Sequence, residues 1–190
     1  LLLQHGAAVD HATPDGATPL FVACEKGHEA VVRLLLQHGV AVDRAMQDGA
    51  TPLFIACQNG HEAVARLLLQ HGAAVDHAIP DGATPLLIAC QHGHAGCVQL
   101  LSSYGAARTF SIVLQVGDEW PAEGPTVQLS RHPAVSAWFE ASRQWTTPLH
   151  HLDAVDANRA LSLLRGGADL HAAVDGGGPT PLSLARALGT

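Results

Sequence analysis

Thirteen histidines and four cysteines in a chain of 190 residues supply ample ligands for a metal centre, so their spacing decides whether one forms. Zinc takes about four ligands roughly 2 Å from one ion. His28, His61 and His94 each follow a glycine, whereas His5, His38 and His71 each precede one. Residues that recur with a structural repeat are held apart by that repeat and do not converge on one ion. The column after glycine is better placed to cap helix ends and loops. His92-Gly93-His94 and His150-His151 are the close pairs, and neither has a recognised ligand spacing, so no metal is expected. A weaker alternative is a metal- or pH-dependent binding element, since imidazole changes charge around an unperturbed pKa of about 6.5.

Cys24, Cys57 and Cys90 also recur at one place. Helix packing sets such neighbours on the order of 10 Å apart, and a disulfide needs Cα atoms roughly 4.4–6.8 Å apart. The three read as small buried hydrophobes, reduced in an intracellular compartment. Cys97 breaks the pattern: it follows Cys90 within the same repeat, which allows contact between those two but makes no Cys-x-x-Cys motif. No nucleophile motif, phosphate-binding glycine loop or paired-carboxylate pattern stands out. Gly176-Gly177-Gly178-Pro179 precedes Thr180-Pro181 and reads as a loosened turn. No catalytic residue and no cofactor are expected, and the chain is read as a non-enzyme.

The elements that carry these residues are set by a tandem repeat. Asp15-Gly16-Ala17-Thr18-Pro19-Leu20 returns letter for letter at Asp48–Leu53 and Asp81–Leu86, a period of 33 residues. Thr18 is a good N-cap and Pro19 suits the first helical position, where a missing N–H costs nothing. Gly27 ends that short helix and His28-Glu29 opens a second, with the acid near the positive end of the dipole. Val31, Leu34 and Leu35, with Val32 as a further member, give its apolar stripe, and Gly39 closes it. Asp15-Gly16 is a tight-turn signal between repeats. A period of this length marks a solenoid whose units bury their apolar faces against neighbours.

Thr18-Pro19-Leu20, Gly27-His28, Val32-Arg33-Leu34-Leu35-Leu36 and Gly39-Val40-Ala41-Val42-Asp43, repeated in the next copy, resemble the ankyrin-repeat family. The resemblance implies an all-α solenoid of stacked helix-turn-helix units with projecting β-turns, whose concave face of turns and first helices binds another protein. Thr147-Pro148-Leu149-His150 keeps the family's histidine after leucine, which the family uses for internal hydrogen bonding. That use argues against His150 and Asp153 as an acid–base pair.

Read as one ankyrin-repeat domain, residues 1–10 finish a truncated repeat and regular repeats span 11–43, 44–76 and 77–106. A degenerate repeat with an irregular insertion follows at 107–145, then a repeat at 146–177 and a terminal half-repeat at 178–190. Leu1–Asp10 matches Leu67–Asp76 almost letter for letter, so the chain is read as starting inside a second helix, as a fragment or an array lacking upstream repeats. Within the degenerate repeat, His132–Phe139 aligns with His28–Leu35 as a second helix. Its first helix is expected, shortened, within about 120–131; the alternative is a small hairpin of Ser111–Val116 with Thr126–Leu129. Ala157–Leu164 is expected to be a second helix, and Ser183 and Arg186 to make the last unit's outer face polar.

The formal charge of −7, with Lys26 the one lysine, lacks the basic footprint that nucleic acid requires. No run approaches the ~20 apolar residues of a membrane span, and no basic segment leads into an apolar one as in a signal peptide. A monomeric, intracellular protein is expected, cytoplasmic with the nucleus also open. Asp10, Asp15, Asp43, Asp48, Asp76 and Asp81 lie near the turns. Their plainer reading is local hydrogen bonding, and their sharper reading is a basic partner.

Positions that vary between near-identical repeats are the candidates for partner contact. At the turns these are His11, Thr13 and Pro14; Arg44, Met46 and Gln47; His77, Ile79 and Pro80. At the ends of the first helices they are Glu25 and Lys26, Gln58 and Asn59, Gln91 and His92. Met46 and Ile79 are singled out because an apolar side chain at a turn tip is expected to have little to pack against. Drift after duplication would explain the same variation. Trp120, Trp138 and Trp145 fill space left by missing leucines or form a second binding patch, and burial separates the two readings. The expected function is a non-catalytic scaffold or adaptor for a protein partner. The alternative is a targeting or regulatory segment of a larger enzyme.

Overall fold

Thr18, Thr51 and Thr84 are extended, and each hydroxyl accepts the N–H three residues on, from Phe21 at 3.1 Å, Phe54 at 3.2 Å and Leu87 at 3.2 Å. Each proline that follows occupies the first turn, where its missing donor is no loss. A cap of this kind is worth about 1 kcal/mol. A computed structural model describes residues 9–107, 109–111, 123–125, 132–141, 160, 163–164 and 180–188. In chain order these give α1 (Pro19–Glu25), α2 (Glu29–Gln37), α3 (Pro52–Gln58), α4 (Glu62–Gln70), α5 (Pro85–His92) and α6 (Ala95–Ser103). Strands β1 (Thr109–Ser111) and β2 (Glu123–Pro125) follow, then α7 (Pro133–Ala141) and α8 (Pro181–Leu188).

The helices stack as two rows. First helices pack α1 on α3 and α3 on α5, while second helices pack α2 on α4, α4 on α6 and α6 on α7. Between the rows lies one continuous core that includes Leu20, Leu53 and Leu86 from the first helices and Val32, Leu68 and Leu101 from the second. A smaller apolar cluster of Phe21, Ala50, Phe54, Ala83 and Leu87 joins the turns to the first helices.

The expected stripe of α2 needs correction. Val32, Leu35 and Leu36 are buried, but Val31 and Leu34 are 45% and 46% exposed. Their equivalents in α4, Val64 and Leu67, are 1% and 6% exposed. Val64 and Leu67 belong to the main core, so the same position is covered in one repeat and exposed in another.

Beyond the third repeat, β1 and β2 pair antiparallel, with Thr109 opposite Pro125 and Ser111 opposite Glu123. The shortened first helix expected within 120–131 is therefore not helical at 123–125. Proline biases the residue before it to extended backbone and lacks the N–H a helix needs, so Gly124-Pro125 disfavours a helix. The alternative hairpin had the right antiparallel sense but a different register; most of Ser111–Val116 and all of Thr126–Leu129 lie outside the described residues. α7 forms where its alignment with α2 placed it, burying Val135 and Phe139.

Trp138 is half-buried against the main core, its ring edge-on to Phe139 at 5.1 Å and 71°. Trp120 and Trp145, the Thr147–His150 signature and Leu1–Ala8 lie outside the described residues. Within the expected helix Ala157–Leu164, residues 160 and 163–164 are helical. At α8, Thr180 and Ser183 exchange backbone-to-hydroxyl bonds of 2.9 and 3.1 Å, a reciprocal cap, and Ser183 and Arg186 are exposed. No helix of the described residues is long and apolar enough to cross a membrane.

Candidate functional site

Each turn that joins two repeats is a small closed loop. Met46 N–H bonds Ala50 O at 2.9 Å and Gly49 N–H bonds Met46 O at 3.0 Å, and the other two turns repeat this pattern. The positive φ of Gly16, Gly49 and Gly82 meets the requirement of the turn. Asp48 and Asp81 each accept the N–H two residues on, from Ala50 and Ala83, both at 3.0 Å. Asp15 accepts from the Thr13 hydroxyl, a bond that holds its carboxyl below the usual carboxylate range. These three aspartates are local, as expected.

Asp10, Asp43 and Asp76 are not local. Asp43 accepts Ala74 N–H at 3.0 Å and Asp76 accepts Ala107 N–H at 3.0 Å, each 31 residues ahead; Asp10 reaches Ala41 N–H at 3.4 Å. The carboxylate at the end of one repeat satisfies a backbone donor in the next, where no helical partner exists.

The histidines that follow glycine make a second set of joints. His61 Nε2 donates to Glu25 O at 3.1 Å, His94 Nε2 to Gln58 O at 3.0 Å and His132 Nε2 to Gln91 O at 2.8 Å. A carbonyl only accepts, so in each ring Nε2 carries the proton. His61 and His94 thus cap the first helix of the preceding repeat, while their own helices receive no side-chain cap from them. A Cβ at Gly60 would lie 2.5 Å from the His94 ring and one at Gly93 2.5 Å from the His132 ring. The Gly-His pair is therefore a socket for the next repeat's imidazole beside the imidazole for the previous one. The recurrence of that pair was the available signal; its partner one repeat away was not visible from spacing.

Several candidate residues prove to be joints too. Arg44 Nη1 donates to Asp10 O at 2.8 Å, Gln47 Nε2 to Pro14 O at 2.7 Å, and Asn59 Nδ2 to Glu25 O at 3.0 Å. Each links its repeat to the one before. Met46 and Ile79 are half-buried against the smaller apolar cluster, which corrects the expectation that a turn tip leaves them little to pack against. Glu25, Gln58, His77 and Gln91 are half-buried. His11, Thr13, Pro14, Lys26, Pro80 and His92 are exposed, with Lys26 3.3 Å from Glu25 and the Thr13 hydroxyl engaged within its turn. The structure thus gathers the candidates along one edge made of turns and the ends of first helices.

His92 and His94 stack at 6.1 Å, but His92 Nδ1 faces Ile88 O at 3.1 Å. Among the described residues no group of three or more His, Cys, Asp and Glu is placed to hold a metal. All four cysteines are buried free thiols. Burial pushes Cys24 up to about 12 and raises Cys90 as well. A hydrogen bond with the Cys97 thiol and burial raise Cys57 well above the ordinary thiol range.

On the opposite layer an open groove of about 550 Å³ runs between α2 and α4. Its charges are already paired, Arg33 with Glu29 at 2.6 Å and Arg66 with Glu62 at 2.8 Å.

The family described as ankyrin repeats (3 copies) matches residues 1–79 and 41–110. No curated protein matches the chain. Ankyrin repeats generally mediate protein–protein interactions, which directs attention to the edge of turns and first helices. With the match reaching well over half of the 190 residues, and with threonine-capped helix pairs stacked in register behind it, the chain belongs to the ankyrin-repeat family.

Proposed function

We propose that the protein is a non-catalytic adaptor that binds a protein partner along its turns and first-helix ends. The observation that carries this reading is the rigid registration of that edge. Turn is tied to turn by Gln47 N–H to Asp15 O at 3.0 Å, and helix end to helix end by the histidine bonds. A preorganised surface loses little conformational entropy on binding. The residues left facing outward, including His11, Pro14, Lys26, Pro80 and His92, differ between repeats that are otherwise nearly identical. Such variation at constant backbone is the means by which a repeat array acquires specificity. A net charge of −7 favours a protein over a nucleic acid. Four reduced, buried thiols fit an intracellular setting, and the reading takes the chain as a monomer.

The test is capture of partners from cytosol with the intact chain, followed by titration of each purified partner against variants. Alanine at Lys26, Pro80 and His92 together should weaken a genuine partner by at least ~10-fold, equivalent to about 1.4 kcal/mol. Alanine at Arg33 and Leu34, on the other layer, should leave affinity unchanged. The reverse pattern would move the binding surface to the second helices and overturn this assignment.

A further inference from the structure

Among the described residues the exposed large apolar side chains are Val22, Val31, Leu34 and Leu164, so three of the four lie on the helices of the first repeat. Each of those three is better covered in later copies. Val22 has Ile55 and Ile88 as counterparts, both half-buried against the main core. Val31 has Val64 and Cys97, and Leu34 has Leu67 and Leu100, all buried. Pro19 is exposed as well, whereas Pro52 and Pro85 are buried. Leu67 lines the groove between α2 and α4 together with Glu29 and Arg33, so this position meets the preceding repeat. His28 follows the same rule. Its counterparts His61, His94 and His132 are half-buried, and each donates Nε2–H to a carbonyl of the repeat before. The exposed His28 ring has no hydrogen-bond partner among the described residues.

We propose that Pro19, Val22, His28, Val31 and Leu34 form an interaction surface for one further helix-pair repeat, placed ahead of His11 in the same chain. The joints are directional. The leading side of a repeat supplies apolar side chains and an imidazole donor, and the trailing side supplies a helix-end carbonyl beside a left-handed glycine, as Gln58 O and Gly60 do for His94. Two leading sides bring two donors together with no such acceptor, so this surface does not match itself in a second copy. Its complement is a trailing side, which offers a first-helix carbonyl to His28 and, through its glycine, the room the ring needs. Stacking that unit covers the apolar residues as α2 and α4 cover Leu67 and Leu100.

The experiment replaces Leu1–Asp10, which match Leu67–Asp76, with a copy of residues 44–76 and compares this extended chain with the intact one. Circular dichroism should show added helix, and urea unfolding a higher midpoint. In the intact chain Leu34→Ala and His28→Ala should leave the midpoint nearly unchanged. In the extended chain Leu34→Ala should lower it about as far as Leu67→Ala does, and His28→Ala as far as His61→Ala. Added helix with Leu34→Ala and His28→Ala still silent overturns the proposal, as does an extended chain that gains no helix. Sedimentation of the intact chain tests the other occupant: a dimer dissolved by Leu34→Glu assigns the surface to a second copy and overturns the proposal too.

Discussion

Helices α2 and α4 carry nearly the same nine residues, Glu-Ala-Val-Val-Arg-Leu-Leu-Leu-Gln and Glu-Ala-Val-Ala-Arg-Leu-Leu-Leu-Gln, yet they bury different amounts of them. Leu34 is 46% exposed and Leu67 is 6% exposed. Within the described residues α4 lies between α2 and α6, whereas α2 has α4 on one side. The apolar pattern of a repeat states which faces are available for burial. Its neighbours determine which faces are buried, because contacts in a solenoid run from each unit to the next.

The contrast is tested first by truncating the two leucines. Leu67→Ala should cost about 2–5 kcal/mol by creating a cavity, while Leu34→Ala should stay within about 1 kcal/mol, as surface changes do. Urea unfolding of the two variants reads the difference, and equal costs would show that both helices are covered alike. A second comparison sets Gly60 against Gly72, at φ +74 and +85. Alanine at either costs roughly 1–2 kcal/mol for left-handed backbone. Gly60→Ala should cost more because its new methyl meets the His94 ring, whereas nothing lies within 4 Å at Gly72. Adding His94→Ala should recover part of that excess, and a double mutant no better than Gly60→Ala would remove the imidazole from the joint. The smallest effect belongs to the ion pairs. Arg66→Ala and Arg33→Ala should each cost about 0.3–0.5 kcal/mol at low salt. The loss should be larger at Arg66, whose side chain is 29% exposed against 54% for Arg33. Thermal unfolding across an ionic-strength series measures both.

Local structure was legible wherever one residue's chemistry fixes one backbone conformation. Threonine before proline marked the start of each first helix, glycine marked the turns, and the alignment of His132 with His28 placed α7 beyond an irregular stretch. The irregular stretch itself was harder, since short apolar runs do not distinguish helix from strand, although Gly124-Pro125 disfavours a helix there. The candidate edge was legible as a set of positions. Its division into outward-facing residues and joints was not, because Arg44, Gln47 and Asn59 vary in sequence while their partners are backbone carbonyls, which every residue possesses.

Sequence alone settled the unit, its period, its caps and its membership of a stacked array, since each follows from steric and hydrogen-bonding preferences within a few residues. Tertiary structure alone decided which copies of an identical letter are covered, and that three aspartates and three histidines reach into the neighbouring repeat. Those outcomes depend on how one unit is translated and rotated onto the next. A repeated sequence carries that operation only implicitly, and side chains from different copies meet only once it has been carried out.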